Sequence, residues 1–459
     1  MSDDVVPGML ASRDALLAAA AARARAYLAN IGERRVPPTA AAVAALDAFD
    51  VPLPEHGFDP HRTLALLDDV GSPATVATTG PRYFGFVNGG ALPMAVATSW
   101  LLAAWDQNAA LQVMSPVAAR LEAIALDWLT ELFGLPAGAT GGFVTGATMA
   151  NATCLAAARD SVLAATGWDA ARFGLVGAPP IEVITSAESH TTVDKALGLV
   201  GLGRGRATRL DVDDAGRVRP TALPSLRKPA IVCLQAGNVN SGASDPFFPL
   251  VEWAHGEGAW IHVDGAFGLW AASSPKLSAQ VAGVEGADSW ATDAHKWLNT
   301  TYDCGIALVR DPDALHSSMR AQAAYLVAKA AHETMEFTPQ SSQRARGAEV
   351  WAVLATLGRA GVASLVERSC ALARRFADGL ATSGVKVLND VVLNQVVVDF
   401  GHPDRTNAVI AAVQAEGTCW CGPTTWQGRR AMRISISCWA TTEDDVDRSV
   451  ASVVRSAAR

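Results

Sequence analysis

Hydrophobic and polar positions change texture three times along the chain. Residues 11–31 (ASRDALLAAAAARARAYLANI) are Ala-rich with arginines at 13, 23 and 25, a helical composition. Val36-Pro37-Pro38 interrupts that run, because a residue before proline is driven out of the helical region. A second helix is expected to start near Thr39, and Asp59-Pro60-His61 to open another with apolar positions at Leu64, Leu66 and Leu67. Residues 1–75 therefore read as a helical arm with Pro-rich joints. It is too plain to build a core alone and suited to packing on a larger body or a second subunit.

From 100 to 135 the pattern is helical, ending at Gly134-Leu135-Pro136. Short β-rich runs follow at 181–185, 230–235, 260–263 and 305–310. Helical stretches at 147–159, 192–200, 249–256 and 276–281 lie between or beside them. This alternation predicts a mainly parallel sheet covered on both faces, in a large α/β domain spanning 76–340. A helix over 347–374, strands at 385–388, 396–398 and 432–437, and a closing helix over 441–450 predict a small α+β domain spanning 341–459. Ligands of such sheets sit beyond the strand C-termini.

Composition narrows the class. Half of the 459 residues are apolar, 39 are Gly and 18% are charged, which excludes a disordered or collagen-like chain. The balance of 37 Lys+Arg against 45 Asp+Glu gives a net charge of −8 and argues against nucleic-acid binding, which draws on cationic contacts with phosphates. Seven cysteines show no CxxC pair, and Cys419-x-Cys421 is too tight for the usual zinc spacings, so neither a disulfide framework nor a metal site is expected. Two charge-free runs, 83–105 and 132–158, are long enough to span a membrane. The first contains Asn88-Gly89-Gly90 and Pro93 and reads as a buried loop entering a helix. The second is broken by six glycines and prolines between 134 and 146. The acidic start MSDDVVPGML does not resemble a secretory signal. The expectation is a cytoplasmic enzyme without membrane partners.

Four features carry candidate chemistry. Thr145-Gly146-Ala147-Thr148 lies where a strand passes into a helix. Gly146 permits close approach of a ligand, and free helix N-terminal amides bind anions, although an ordinary capped turn looks the same. His190 follows a strand, where it can stack on a flat ring or simply cap a helix. Asp264 ends the apolar run Ile261-His262-Val263 and precedes Gly265-Ala266; a carboxylate there is costly unless paired with a cation, a helix cap being the alternative. Lys296 is bracketed by His295 and Trp297, and a lysine in apolar surroundings becomes nucleophilic, whereas most lysines are solvated. Together these are the parts needed to hold pyridoxal phosphate: an anion seat, a partner for the pyridine nitrogen, an imine-forming amine and a stacking ring.

At His262-Val263-Asp264-x-Ala266 and His295-Lys296-Trp297-Leu298 the chain resembles the group II pyridoxal-phosphate decarboxylases, which include the aromatic L-amino-acid decarboxylases. Gly142-Phe-Val-Thr-Gly-Ala-Thr148, His190, Ser115-Pro116 and Leu121-Glu122 support the likeness. So do Tyr83-Phe84-Gly85-Phe86, similar to the family's substrate-pocket segment, and Arg344-Ala-Arg346 ahead of Trp351. The resemblance implies fold type I, the aspartate aminotransferase-like α/β fold, and a homodimer with the arm wrapped on the partner. It implies Lys296 as the imine-forming lysine, Asp264 as pyridinium partner, His190 as stacking group and Ala266 against the other ring face. Gly146, Ala147 and Thr148 would cradle the phosphate, and His295 would sit by the substrate carboxylate. The implied reaction is decarboxylation of an amino acid to amine and CO2. Tyr83, Phe84, Phe86 and Trp105 suggest an aromatic substrate.

Two departures qualify the likeness. Many members carry Asn-Pro-His-Lys, whose Asn helps hold the phosphate; here the string is Asp293-Ala294-His295-Lys296. A carboxylate repels a phosphate, so Asp293 must pair with a cation, be protonated or point away, and the phosphate contact passes to Thr292 or the backbone. The family's mobile loop usually brings a tyrosine that protonates Cα after CO2 loss. The corresponding residues 328–346 contain none; Tyr325 lies at the start, Thr334 and Phe337 occupy the neighbourhood, and His332 is a candidate substitute. Loss of that acid favours oxidative decarboxylation–deamination to an aldehyde, the principal alternative. Transamination or β-elimination is a further alternative, set back because only Arg82 offers an obvious carboxylate-binding arginine among the candidate segments. A non-enzymatic binding protein is the last.

Overall fold

The structure, a computed structural model, describes residues 5–320 and 332–459. Its larger sheet has seven strands: β1 (Thr140–Val144), β2 (Glu182–Ser186), β3 (Thr208–Leu210), β4 (Ala230–Gln235), β5 (Trp260–Asp264), β6 (Ser289–Asp293) and β7 (Gly305–Val309). Their order is β1-β7-β6-β5-β4-β2-β3. Strands β2 to β6 pair in parallel, and β7 runs antiparallel to both β1 and β6. Every residue of β4, β5, β6 and β7 is buried, which explains why these strands read as continuous apolar runs. Alternation still operates: Val232 and Leu234 of β4 enter the core on one face, Ile231 and Cys233 that on the other.

The helical pattern over 100–135 is two helices, Pro93–Trp105 and Pro116–Leu132. Asp106 closes the first in a left-handed conformation (φ 48°), and Ser115 caps the second by accepting from the Ala118 amide, with Pro116 at the first helical position. The intervening Ala109, Ala110, Leu111 and Val113 hid the break from an apolar-periodicity reading. The expected helix at 276–281 is only a 3₁₀ turn, Ser278–Val281.

Helix Arg346–Thr382 packs against helix Pro116–Leu132 and leads to a second, antiparallel sheet. Its strands are β8 (Lys386–Val387), β9 (Gln395–Asp399), β10 (Gly422–Trp426) and β11 (Arg429–Ser435), in the order β10-β11-β9-β8. Strand β10 escaped the sequence reading because Gly422-Pro-Thr-Thr-Trp carries no apolar run. It lies at the sheet edge, where a proline is tolerated.

The N-terminal segment begins with helix Val5–Asn30, and Thr39 and Asp59 cap the next helices as expected. Between residues 12 and 75 only Val36 is buried. The segment is tied down by Arg23 to Asp68 and Asp69 (2.8 Å each) and by the Val36 amide to the Gly417 carbonyl (3.0 Å).

Candidate active site

Strands β4, β5 and β6 end side by side, and their last residues are Gln235, Asp264 and Asp293. The chain past β6 carries His295 and Lys296 back over these ends, and the Ala147–Ala164 helix starts beside them. The result is a cavity of about 560 Å³ lined by Gly146, His190, Asp264, His295, Lys296 and Arg433, among others. It lies beyond the strand C-termini, as parallel sheets place their ligands.

Asp264 is 5% exposed, and its Oδ1 accepts from the Ala266 amide at 3.1 Å. Among the described residues it has no ion-pair partner. A buried carboxylate without an ion-pair partner is costly and calls for a cationic ligand. Lys296 Nζ lies 3.1 Å from Asp293 Oδ2. Asp293 Oδ1 in turn accepts from the Ala147 amide, the first of its helix, at 2.6 Å. Of the three fates open to Asp293, pairing with a cation is the one observed.

The two histidines are held in a defined form. The Thr192 amide donates to His190 Nδ1 (3.3 Å) and the Cys304 amide to His295 Nδ1 (3.1 Å), so each neutral ring carries its proton on Nε2. Burial pushes both pKa values down, which keeps both rings neutral at pH 7. His295 also packs against Tyr302, with ring centroids 4.3 Å apart.

Close approach dictates two glycines. Gly146 has φ 155°, and a Cβ there would stand 3.3 Å from His295 Cε1. A Cβ on Gly89 would come within 1.7 Å of the Lys296 carbonyl oxygen, so the 83–92 loop rests directly on the lysine's backbone. Asn299 ties the same backbone to the small sheet's side: its Nδ2 donates to the carbonyls of Trp297 (2.9 Å) and Ser437 (3.0 Å).

The donor set fits pyridoxal phosphate: an amine, an uncompensated carboxylate and the N-terminus of an 18-residue helix surround one cavity. Only the Asp293 carboxylate conflicts with a phosphate. Residues 62–399, well over half of the chain, match the family described as the pyridoxal-dependent decarboxylase conserved domain. The chain belongs to the pyridoxal-dependent decarboxylase family. The aromatic-L-amino-acid decarboxylase of Bacillus atrophaeus is 28% identical over 336 residues, covering 70% of this chain and 68% of that protein. The phenylacetaldehyde synthase of Arabidopsis thaliana is 27% identical over 428 residues, 86% of each. The crystal structure of Oryza sativa TDC with PLP and tryptamine superposes with a TM-score of 0.90 at 21% identity, over 97% of this chain and 98% of that one. That likeness places the fold in type I. This pyridoxal-dependent decarboxylase is thus a pyridoxal-phosphate-dependent carboxy-lyase of an amino acid.

Several expected site residues lie elsewhere in the decarboxylase. Thr292 does not line the cavity: it is fully buried on the strand face opposite Asp293, with its hydroxyl 3.5 Å from the Ala266 carbonyl. Phe84 belongs to the small sheet's core, edge-on to Phe376. Tyr83 stacks on Trp420 (5.1 Å), and burial lifts its pKa to about 12. Trp105 is 46% exposed at the end of its helix and does not reach this chain's cavity. Of the four proposed substrate residues only Phe86 lines it, held 5.5 Å from Trp420 in a left-handed conformation (φ 52°) that Val87 shares (φ 61°). Such strain, on the order of 1–3 kcal/mol per residue, persists only where surrounding packing enforces it.

Nor does the candidate substitute donor His332 line the cavity, nor do its neighbours Thr334 and Phe337. Thr334 is buried with its hydroxyl donating to Glu122 (2.8 Å), and Phe337 stacks on His332 (3.9 Å). Burial drives the His332 pKa down to about 4, so near neutrality the ring is uncharged and has no acidic imidazolium proton to give. Tyr325 lies outside the described residues. Arg433, on β11, is the residue the sequence concealed. It brings a guanidinium into the cavity from the other sheet, whereas Arg82 is buried in a 2.9 Å pair with Asp445. The absence of a carboxylate-binding arginine therefore does not count against transamination; the family match does.

Proposed function

We propose that this decarboxylase converts an L-amino acid, aromatic by preference, to its amine and CO2. The observation that carries the reading is the convergence of Lys296 and the uncompensated Asp264 carboxylate on one cavity. Bound there, pyridoxal phosphate supplies a protonated ring that takes up the electrons left on Cα when CO2 departs. Asp264 holds the proton on the ring nitrogen, since an adjacent anion favours the cationic form. His190 and Ala266 would confine the ring, and the amides of Ala147 and Thr148 would hold the phosphate. Lys296 would hold the cofactor through its amine, which lines the cavity. Arg433 orients a substrate carboxylate, and His295 Nε2–H stands beside it. Phe86, Val87 and Phe267 give the cavity an apolar side suited to an aromatic ring, and the Bacillus relative is named for aromatic substrates.

The test is purified enzyme incubated with Phe, Tyr, Trp and Glu, with CO2, amine, aldehyde and peroxide assayed. Amine equal to CO2 is expected. Aldehyde with peroxide would install the second reading, which the tyrosine-free residues 328–346 and the Arabidopsis relative's name favour.

The enzyme acts as a homodimer in this reading. Met94, Trp100, Leu101, Trp105, Val113 and Met114 are each more than one-third exposed, and the N-terminal segment has no core of its own. Light scattering at micromolar concentration should give twice the chain mass. All seven cysteines are free and buried, in keeping with a cytoplasmic location that cell fractionation would check.

A further inference from the structure

We propose that Asp293 is a resident counter-anion: without cofactor its carboxylate holds the seat of the phosphate, and loading has to displace it. The inference rests on the chain's use of pyridoxal phosphate and concerns what sets its affinity. The Ala147–Ala164 helix begins at a glycine, which offers no side chain to cap it. Its first amides therefore need an outside acceptor. Asp293 Oδ1 meets the first of them at 2.6 Å. Its other oxygen, Oδ2, lies 3.1 Å from Lys296 Nζ, and His295 Nε2 is 3.7 Å from Oδ1. The side chain is 3% exposed, so water does little to screen these contacts.

One carboxylate thus grips two groups the cofactor needs, the helix amide at its phosphate end and the amine at its aldehyde end. A phosphate bringing its own charge to the Ala147 amide meets a carboxylate already there, and like charges held together without water repel strongly. Asn in the same place would keep an acceptor for Ala147, add donors toward phosphate and remove the repulsion. Asp293 therefore stabilises the cofactor-free chain and lowers phosphate affinity. The bound fraction of this enzyme then follows the cofactor supply more closely than an Asn-bearing site would.

The experiment strips cofactor from the full chain and titrates wild type and Asp293→Asn with pyridoxal phosphate and with pyridoxal, which lacks the phosphate. The visible band of bound cofactor reports binding. Asp293→Asn is expected to bind pyridoxal phosphate at least about tenfold more tightly and pyridoxal within about twofold of wild type. Inorganic phosphate should raise the variant's melting temperature at lower concentration than it raises that of wild type. Equal or weaker pyridoxal-phosphate binding in the variant overturns the proposal. So does an equal shift for both ligands, which would reduce Asp293 to a partner of Lys296. Asp293→Ser, short and uncharged, is read by the same criteria if the Asn variant fails to fold. No band in any protein would sink the cofactor assignment together with the proposal, whereas a band with equal affinities sinks the proposal alone.

Discussion

In the proposed function Lys296 and Asp264 have separable duties, and substitutions should separate them. Lys296→Ala is expected to abolish the visible band of bound cofactor and to lower turnover on the order of 10⁴-fold or more, and to lower the melting temperature of the cofactor-free protein, because the buried Asp293 carboxylate loses its cation. Native activity in that variant would refute its role. Asp264→Asn should keep the band and lose about 10²–10³-fold in kcat, because the ring nitrogen loses its stabilising anion; an unchanged kcat would contradict the assignment. Both residues were legible because chemistry-bearing side chains stood among apolar or small ones at strand ends. Thr292 was misplaced for the complementary reason. Neighbouring residues of a strand face opposite ways, and the one-letter string does not say which of Thr292 and Asp293 looks into the cavity.

At the scale of elements, the 83–92 loop and the 332–338 segment answer to packing rather than to sequence pattern. Gly89→Ala drives a Cβ into the Lys296 carbonyl and should cost about 1–3 kcal/mol of stability, measured by urea denaturation, and weaken cofactor binding as well. A tyrosine placed at Thr334 would not restore a proton donor. That side chain is 2% exposed and bonded to Glu122, so Thr334→Tyr should lower stability and leave the amine-to-aldehyde ratio unchanged. The chain has four tyrosines. Tyr83 is locked on Trp420, Tyr27 is in the N-terminal helix, and Tyr302 and Tyr325 remain as acids to test. Product ratios for Tyr302→Phe and Tyr325→Phe assign the donor: the variant that shifts amine toward aldehyde has lost it.

Across the whole molecule, buried titratable groups give stability two opposing pH dependences. His262, wedged between Ser289 and Asn151, has its pKa driven down to about 3 by burial. Its contribution is complete above the ordinary histidine value near 6.5 and is lost as pH falls toward 3. Glu122 is lifted by burial to about 7. It stabilises fully below the ordinary carboxyl range and loses that contribution as pH rises to about 7. Melting curves should therefore show His262→Gln gaining on wild type as pH falls from about 6.5, and Glu122→Gln gaining as pH rises from about 4.5 and levelling off above 7. The reverse slopes would contradict these burial effects.

The sequence by itself determined the fold class and the cofactor, and it pointed to Lys296, Asp264, His190 and Gly146, which the structure brings to one cavity. Buried parallel strands are spelled as apolar runs, and a catalytic lysine or carboxylate in apolar surroundings is chemically conspicuous. Tertiary structure decided the rest. Arg433 reaches the cavity from a different sheet, Phe84 is withdrawn into a core and Asp293 is turned onto a helix end. Each depends on which distant backbones pack together, and the local order of residues does not carry that geometry.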